Sequence, residues 1–154
     1  MKVSKKADYA LRVLFTLAAR YGGEPISIRE LAVQNQVPKR FLEHIMLDLK
    51  SQRWVASVAG KNGGYVLAQA PGEIRLGQVV RYFDGLLAPI NCVSVSQYEA
   101  CSQEPICRFR RVFLEIRNET AQRMDGATLA AVLAGKPVLK QEVFDELMIS
   151  GAGI

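Results

Sequence analysis

The chain is short of the side chains on which most enzymes depend. Its 154 residues include one histidine, His44, and one tryptophan. With a single histidine and no Ser/His/Asp arrangement, the usual acid–base and nucleophilic templates lack parts. There is no phosphate-binding P-loop, no dinucleotide fingerprint and no internal repeat. The expectation is a protein that is not an enzyme and has no small-molecule substrate. Long apolar runs are missing too: none reaches the roughly 18 residues of a membrane-spanning helix. The start, "MKVSKKADYALRVLF", is basic and then apolar, but Asp8 and Arg12 interrupt the apolar part and no small-residue cleavage site follows. The expected location is the cytoplasm, away from membranes, where thiols stay reduced.

Cysteine is scarce and concentrated. Cys92, Cys101 and Cys107 are the only three, spaced C-x8-C-x5-C within "NCVSVSQYEACSQEPIC" from Asn91 to Cys107. An odd count argues against a fully paired disulfide framework. The spacing also lacks the paired C-x2-C knuckles of structural zinc sites. A disulfide, a metal site, a redox switch and plain packing all accommodate three cysteines in one loop.

What the chain does have is enough apolar material for a core, 49% of residues, and an uneven charge. Residues 1–65 carry 11 Lys/Arg against 5 Asp/Glu, whereas residues 66–154 carry 9 against 10. The first part is therefore the candidate for contact with a polyanion. Within it, Ser4 is placed to cap a helix with apolar positions Tyr9, Ala10, Val13, Leu14 and Leu17, ending at "YGG". "SIRE", Ser27 to Glu30, reads as a capping box opening a short second helix that ends by Pro38. A third helix, "PKRFLEHIMLDLKSQ", turns Phe41 or Leu42, then Ile45, Met46 and Leu49, inward and leaves Lys39, Arg40, Glu43 and His44 outside. Two helices joined by a tight turn, the second starting with basic residues, match a helix-turn-helix. "WVASV", "AGKNGG" and "YVLA" then give two β-rich runs around a glycine-rich turn, the pattern of a hairpin. Together these make a winged helix, with Lys61 and Asn62 at the wing tip.

The second part is helical around Leu76 to Phe83, then carries the cysteine loop, then "RFRRVFLEIRNETAQRM". In that last segment Phe109, Val112, Phe113, Ile116 and Met124 fall near one helical stripe without a partner in so small a domain. Such a stripe commonly buries itself against its copy in a second subunit, so a homodimer is expected. "DGATLAAVLAG" gives a short helix, and the tail from Lys136 an amphipathic piece, "KQEVFDELMI", before a frayed "SGAGI". The fold class is mainly α with a small β-hairpin wing, divided as a winged helix-turn-helix DNA-binding region (1–70), a connecting helix and cysteine loop (71–107), dimerisation helices (108–134) and a tail (135–154).

The order of elements, together with "ADYALRVLFTLA", "SIRELA", "FLEHIMLDLK", "GKNGGYVLA" and a three-cysteine loop before a long helix, resembles the winged-helix regulators that include IscR, NsrR and RirA, the Rrf-two superfamily. The resemblance covers nearly the whole chain and implies a dimeric transcription regulator that binds double-stranded DNA. Three cysteines at this place point to its iron–sulfur branch, in which the cluster sits between the cysteine loop and the partner subunit's first helix. Cys92, Cys101 and Cys107 are then the expected thiolate ligands. IscR-type members use a histidine shortly after the third cysteine, where this chain has Arg110. NsrR-like members use an aspartate in the first helix, a place taken here by Asp8, which favours [4Fe–4S] over [2Fe–2S]. Asp8 reads equally as a first-turn acid facing the helix dipole, with Arg12 four residues on. Lys39, Arg40, Glu43 and His44 align with the reading positions of the family's third helix. Ser27, Lys50 and the wing residues Lys61, Asn62 and Gly63 complete the candidate DNA contacts. Some relatives have arginine just before the wing glycine, where this chain has Ala59. Two other functions remain open: the same fold with a metal-free thiol switch, and a protein-binding scaffold acting through its C-terminal helices.

Overall fold

The computed structural model describes residues 1–149; the "SGAGI" tail lies outside the described residues. In chain order it contains α1 (Lys5–Ala19), α2 (Ile28–Asn35), α3 (Lys39–Ser51), β1 (Val55–Val58), β2 (Gly64–Leu67), α4 (Leu76–Asp84), a 3-10 turn (Asn91–Val93), α5 (Arg110–Gly126), α6 (Leu129–Leu133) and α7 (Lys140–Ile149).

α1 begins where Ser4 Oγ accepts the Ala7 N–H at 3.2 Å, relieving one of the unpaired donors of a helix start. Its face buries Ala7, Ala10, Val13, Leu14, Leu17 and Ala18. Gly22, at φ +80°, then turns the chain. α2 starts on Ser27, whose Oγ accepts from Glu30 N at 3.2 Å. Only this half of the expected capping box forms, because the Glu30 carboxylate is drawn away by Arg20 at 3.1 Å and Gln34 at 2.9 Å. The turn to α3 passes through Gln36 in the left-handed region, φ +54°. Pro38 is the residue before α3 rather than its first helical position. Of the pair Phe41 and Leu42, Leu42 is the buried one. Phe41 stays exposed and lies edge-on to Tyr9, with centroids 5.8 Å apart.

Leu42, Ile45, Met46 and Leu49 of α3 meet the α1 face in one core with Leu31, Val37, Trp54, Ile74, Val79 and Leu129. Burying each such side chain stabilises the fold by about 1.5–3 kcal/mol. β1 and β2 pair antiparallel, with Val55 opposite Leu67 and Val58 opposite Gly64. The wing is stitched to the start of α2 by Ile26, whose N–H donates to Tyr65 O at 3.0 Å while its carbonyl accepts from Tyr65 N at 2.8 Å. A Cβ at Gly64 would collide with that Ile26 carbonyl, so glycine permits the close approach.

α4 joins this unit to the rest. Asp84 accepts the Ser4 N–H at 2.8 Å, and Arg81 forks onto both oxygens of Asp125 at 2.8 and 2.7 Å. Arg75 donates to the Asp125 carbonyl at 2.8 Å, so the C-terminal end of α5 is clamped to α4. α5 is therefore not free on every side, as its apolar stripe suggested: Thr120, Ala121 and Met124 sit against Gly77, Val80 and Arg81 of α4. Yet among the described residues none covers the other face of α5, where Val112 and Ile116, with Phe109 just before the helix, are exposed. No helix among the described residues is long and apolar enough to cross a membrane.

Candidate functional site

Two regions carry chemistry. The first is the outer face of α3 with the wing. The stripe that buries Leu42, Ile45, Met46 and Leu49 leaves Lys39, Arg40, Glu43 and His44 exposed on the opposite side. Lys39 and Glu43 form an i,i+4 ion pair at 3.6 Å. His44 Nδ1 lies 2.8 Å from the Arg40 carbonyl, which in the Nδ1–H tautomer leaves Nε2 as an acceptor facing outward. At the far end of the helix, Lys50 Nζ donates to Ser57 Oγ of β1 at 2.9 Å, tying helix to wing. Lys61 and Asn62 are exposed at the wing tip, with Gly60 at φ +111° making the turn and Gly63 packed against the Val58 carbonyl. Ser27 is half-buried and occupied by capping. Of the nine candidate contacts, Lys39, Arg40, Glu43, His44 and Lys50 are exposed on α3 and Lys61 and Asn62 on the wing, Gly63 is half-buried in the wing turn, and Ser27 has a structural task of its own.

The second region is the cysteine loop. Cys92 and Cys107 are half-buried, Cys101 is exposed, and none is disulfide-bonded. All three line a cavity of about 470 Å³ with Ile90, Ile106 and Phe109. A second cavity of about 380 Å³ lies on the other side of Cys92 and Cys107, lined by Arg110, Arg111, Arg117, Tyr98 and Ser94. Among the described residues no three His, Cys, Asp or Glu side chains of one chain converge as a metal site. What the three cysteines share is the border of that one cavity. Asp8 is on α1 and lines neither cavity. It forms a forked pair with Arg12 at 3.1 and 2.7 Å, which raises the Arg12 pKa chiefly through that hydrogen bond.

The loop is held by residues that composition and spacing did not single out. Arg110 donates through Nε and Nη2 to the Cys92 carbonyl at 3.2 and 2.7 Å, and pairs with Glu104 at 3.3 Å. Tyr98 Oη donates to the Glu104 carboxylate at 3.1 and 2.9 Å, a hydrogen bond that raises the phenol pKa. Arg117 Nη1 donates to the Val93 carbonyl at 2.7 Å. The available signal was the seven-residue interval between Arg110 and Arg117, two turns on one helix face.

Residues 3–135 match the family described as "Rrf2: Iron-dependent Transcriptional regulator". The chain belongs to the Rrf2 family. It is 40% identical over 145 residues to an rrf2-like HTH-type transcriptional regulator of Rhodobacter capsulatus, covering 90% of this chain and 97% of that one. It is 31% identical over 140 residues to the HTH-type transcriptional regulator NsrR of Geobacillus kaustophilus, covering 91% and 95%. Among solved structures it resembles CymR, the global cysteine regulator of Bacillus subtilis, with a TM-score of 0.75 and 28% identity over 89% of this chain and 99% of that one. This Rrf2 protein is a DNA-binding transcriptional regulator rather than an enzyme, and its winged-helix fold is that of the family.

Proposed function

We propose that the protein is a homodimeric cytoplasmic regulator whose affinity for double-stranded DNA is controlled by an iron–sulfur cluster at Cys92, Cys101 and Cys107. The observation that carries this reading is that the chain's only three thiols border one cavity of about 470 Å³. Three soft donors bordering one cavity suit a polynuclear group better than a single ion, which needs ligands about one point. When bound, the group supplies a redox- and ligand-responsive link between the three thiolates. The cavity's other walls mix apolar Ile90, Ile106 and Phe109 with polar Gln103, Glu104, Arg108 and Arg110.

Asp8 fits the fourth, oxygen ligand only if it comes from the second subunit, since it lines neither cavity of its own chain. In that role Arg12, now paired to it, shares or releases the carboxylate. The resemblance of this placement to the NsrR-like pattern favours [4Fe–4S] here. The exposed Phe109, just before α5, with Val112 and Ile116 of α5 forms the dimer seam. On the DNA side, Lys39, Arg40, Glu43, His44 and Lys50 enter the major groove while Lys61, Asn62 and Gly63 approach the backbone or minor groove. A two-fold dimer places two such ridges on half-sites about one helical turn apart. α5 connects the two regions. Its first turns grip the cysteine loop through Arg110 and Arg117, and its last turn is clamped to α4 through Asp125. A shift of the loop therefore tilts α5 about a fixed end and changes the spacing of the reading helices.

The second reading keeps the DNA surface and makes the thiols a metal-free switch; the exposure of Cys101 and the likeness to CymR favour it. Iron and sulfide assays with a visible absorption spectrum, on protein reconstituted anaerobically, decide between them. The cluster reading expects iron, sulfide and visible absorption, all lost when any one cysteine becomes Ala. Wild-type protein that takes up no iron yet changes its DNA affinity on oxidation would establish the thiol switch.

A further inference from the structure

We infer that Glu104, Arg110 and Tyr98 are positioning residues that set the separation of Cys92 and Cys107 before any metal is bound. The inference rests on the cluster reading for its purpose and on the loop's own contacts for its content.

Between Cys92 and Cys107 the chain makes turns but, after the 3-10 turn, no regular element, so backbone hydrogen bonding alone does not fix where the thiols stand. One carboxylate and one guanidinium supply what is missing. Glu104 accepts from the Cys101 N–H at 3.3 Å, from Tyr98 Oη at 2.9 Å and from Arg110 at 3.3 Å. Arg110, three residues after Cys107, reaches back 18 residues to the Cys92 carbonyl. The pair thus joins the backbone of Cys92 to that of Cys101, and Arg110 itself follows Cys107 by three residues. It is also shielded: the Glu104 side chain is 17% exposed and that of Arg110 is 32% exposed. An open surface ion pair contributes little, whereas one whose charges are partly withdrawn from water and held by further hydrogen bonds fixes geometry.

Placement points the same way. Cys92, Cys107, Glu104 and Arg110 border both cavities, so the Glu104–Arg110 pair stands beside two of the thiols on each. Arg117, two turns beyond Arg110, holds the next carbonyl, that of Val93. Cys92 is thereby fixed to α5 from two positions on one helix face. At the place where histidine-ligated relatives put a ligand, this chain has a residue that holds the loop.

The test is residue-resolved alkylation of metal-free, reduced full-length protein with iodoacetamide, read by mass spectrometry, alongside iron uptake on reconstitution. In wild type, exposed Cys101 should react fastest and Cys92 and Cys107 more slowly. Glu104→Gln and Arg110→Gln should each raise the rates at Cys92 and Cys107 toward that of Cys101, with circular dichroism unchanged because neither residue belongs to the winged-helix core. Tyr98→Phe should do so more weakly. Arg110→Lys, which keeps the charge and loses the fork, should fall between wild type and Arg110→Gln. Iron affinity should drop about tenfold in the glutamine variants, the lower end of what losing a residue behind a metal ligand costs. Equal rates at the three cysteines in wild type, or unchanged rates in both glutamine variants, would overturn the inference. A wild type that takes up no iron but shows the graded rates, lost in the variants, would sink the cluster reading and leave the positioning role intact.

Discussion

The winged-helix part and the part beyond α4 solve the problem of burial differently. In the first, α1 alone buries six residues completely enough to close a core with α3, Trp54 and Ile74. In the second, α5 runs for 17 residues and, with the described residues around it, has none fully buried. Charge divides the same way, since the basic surplus belongs to residues 1–65 while residues 66–154 nearly balance. The contrast teaches that the first part closes a core within one chain, whereas α5 leaves an apolar face exposed, which the proposed second subunit would cover.

The strongest way to break this contrast is to charge the uncovered face. Phe109→Glu with Ile116→Glu should convert the proposed dimer to a monomer in sedimentation and abolish tight binding to a two-fold site, while the melting temperature of the winged helix stays close to wild type. A dimer that survived would place the interface elsewhere. Next comes a paired truncation. Leu14→Ala, in the α1 core, should cost about 2–5 kcal/mol in chemical denaturation. Val112→Ala, exposed on α5, should change the stability of the monomeric double variant by no more than about 0.5 kcal/mol.

Smaller effects test the DNA surface. Arg40→Ala and His44→Ala should each cost roughly 1–3 kcal/mol on the cognate site and little on unrelated DNA. Lys61→Ala should weaken all sequences alike and lower the slope of log affinity against log salt by about 1. If the Arg40, His44 and Lys61 triple variant bound DNA as wild type does, the ridge would not be the reading surface. No change of pH is needed for these comparisons, and the phenol of Tyr98, raised by its bond to Glu104, stays protonated at neutral pH.

The same contrast explains what could be read from the sequence. Apolar spacing located α1 and α3, a capping box located α2, and β-rich runs around glycines located the hairpin; in α1 a closed core imposes its repeat on the chain, so that Val13, Leu14 and Leu17 recur as they must. The stripe Phe109, Val112, Ile116 was equally visible, but its meaning was only half legible, since nothing in the spacing told that Met124 and Ala121 would seat on α4. The capping box was legible as a helix start, yet Glu30 found Arg20, ten residues upstream, a contact that only the fold creates. The cysteine loop was legible as a cluster of donors and nothing more. Its shape depends on Arg110 reaching 18 residues back to a carbonyl, and a backbone acceptor leaves no mark on the sequence. Asp8 was found by resemblance alone, and its own chain gives it Arg12 as a partner.

The central claim is that occupancy of the cysteine loop changes DNA affinity. Its most direct test is an anaerobic binding titration against the cognate operator, made on one preparation before and after loading with iron and sulfide, with Cys101→Ala carried through the same steps. The account predicts that loaded and unloaded wild-type protein differ in affinity, and that Cys101→Ala takes up no cluster and shows a single affinity throughout. Loaded wild type that bound the operator no differently from unloaded, with iron and sulfide confirmed on the protein, would contradict it.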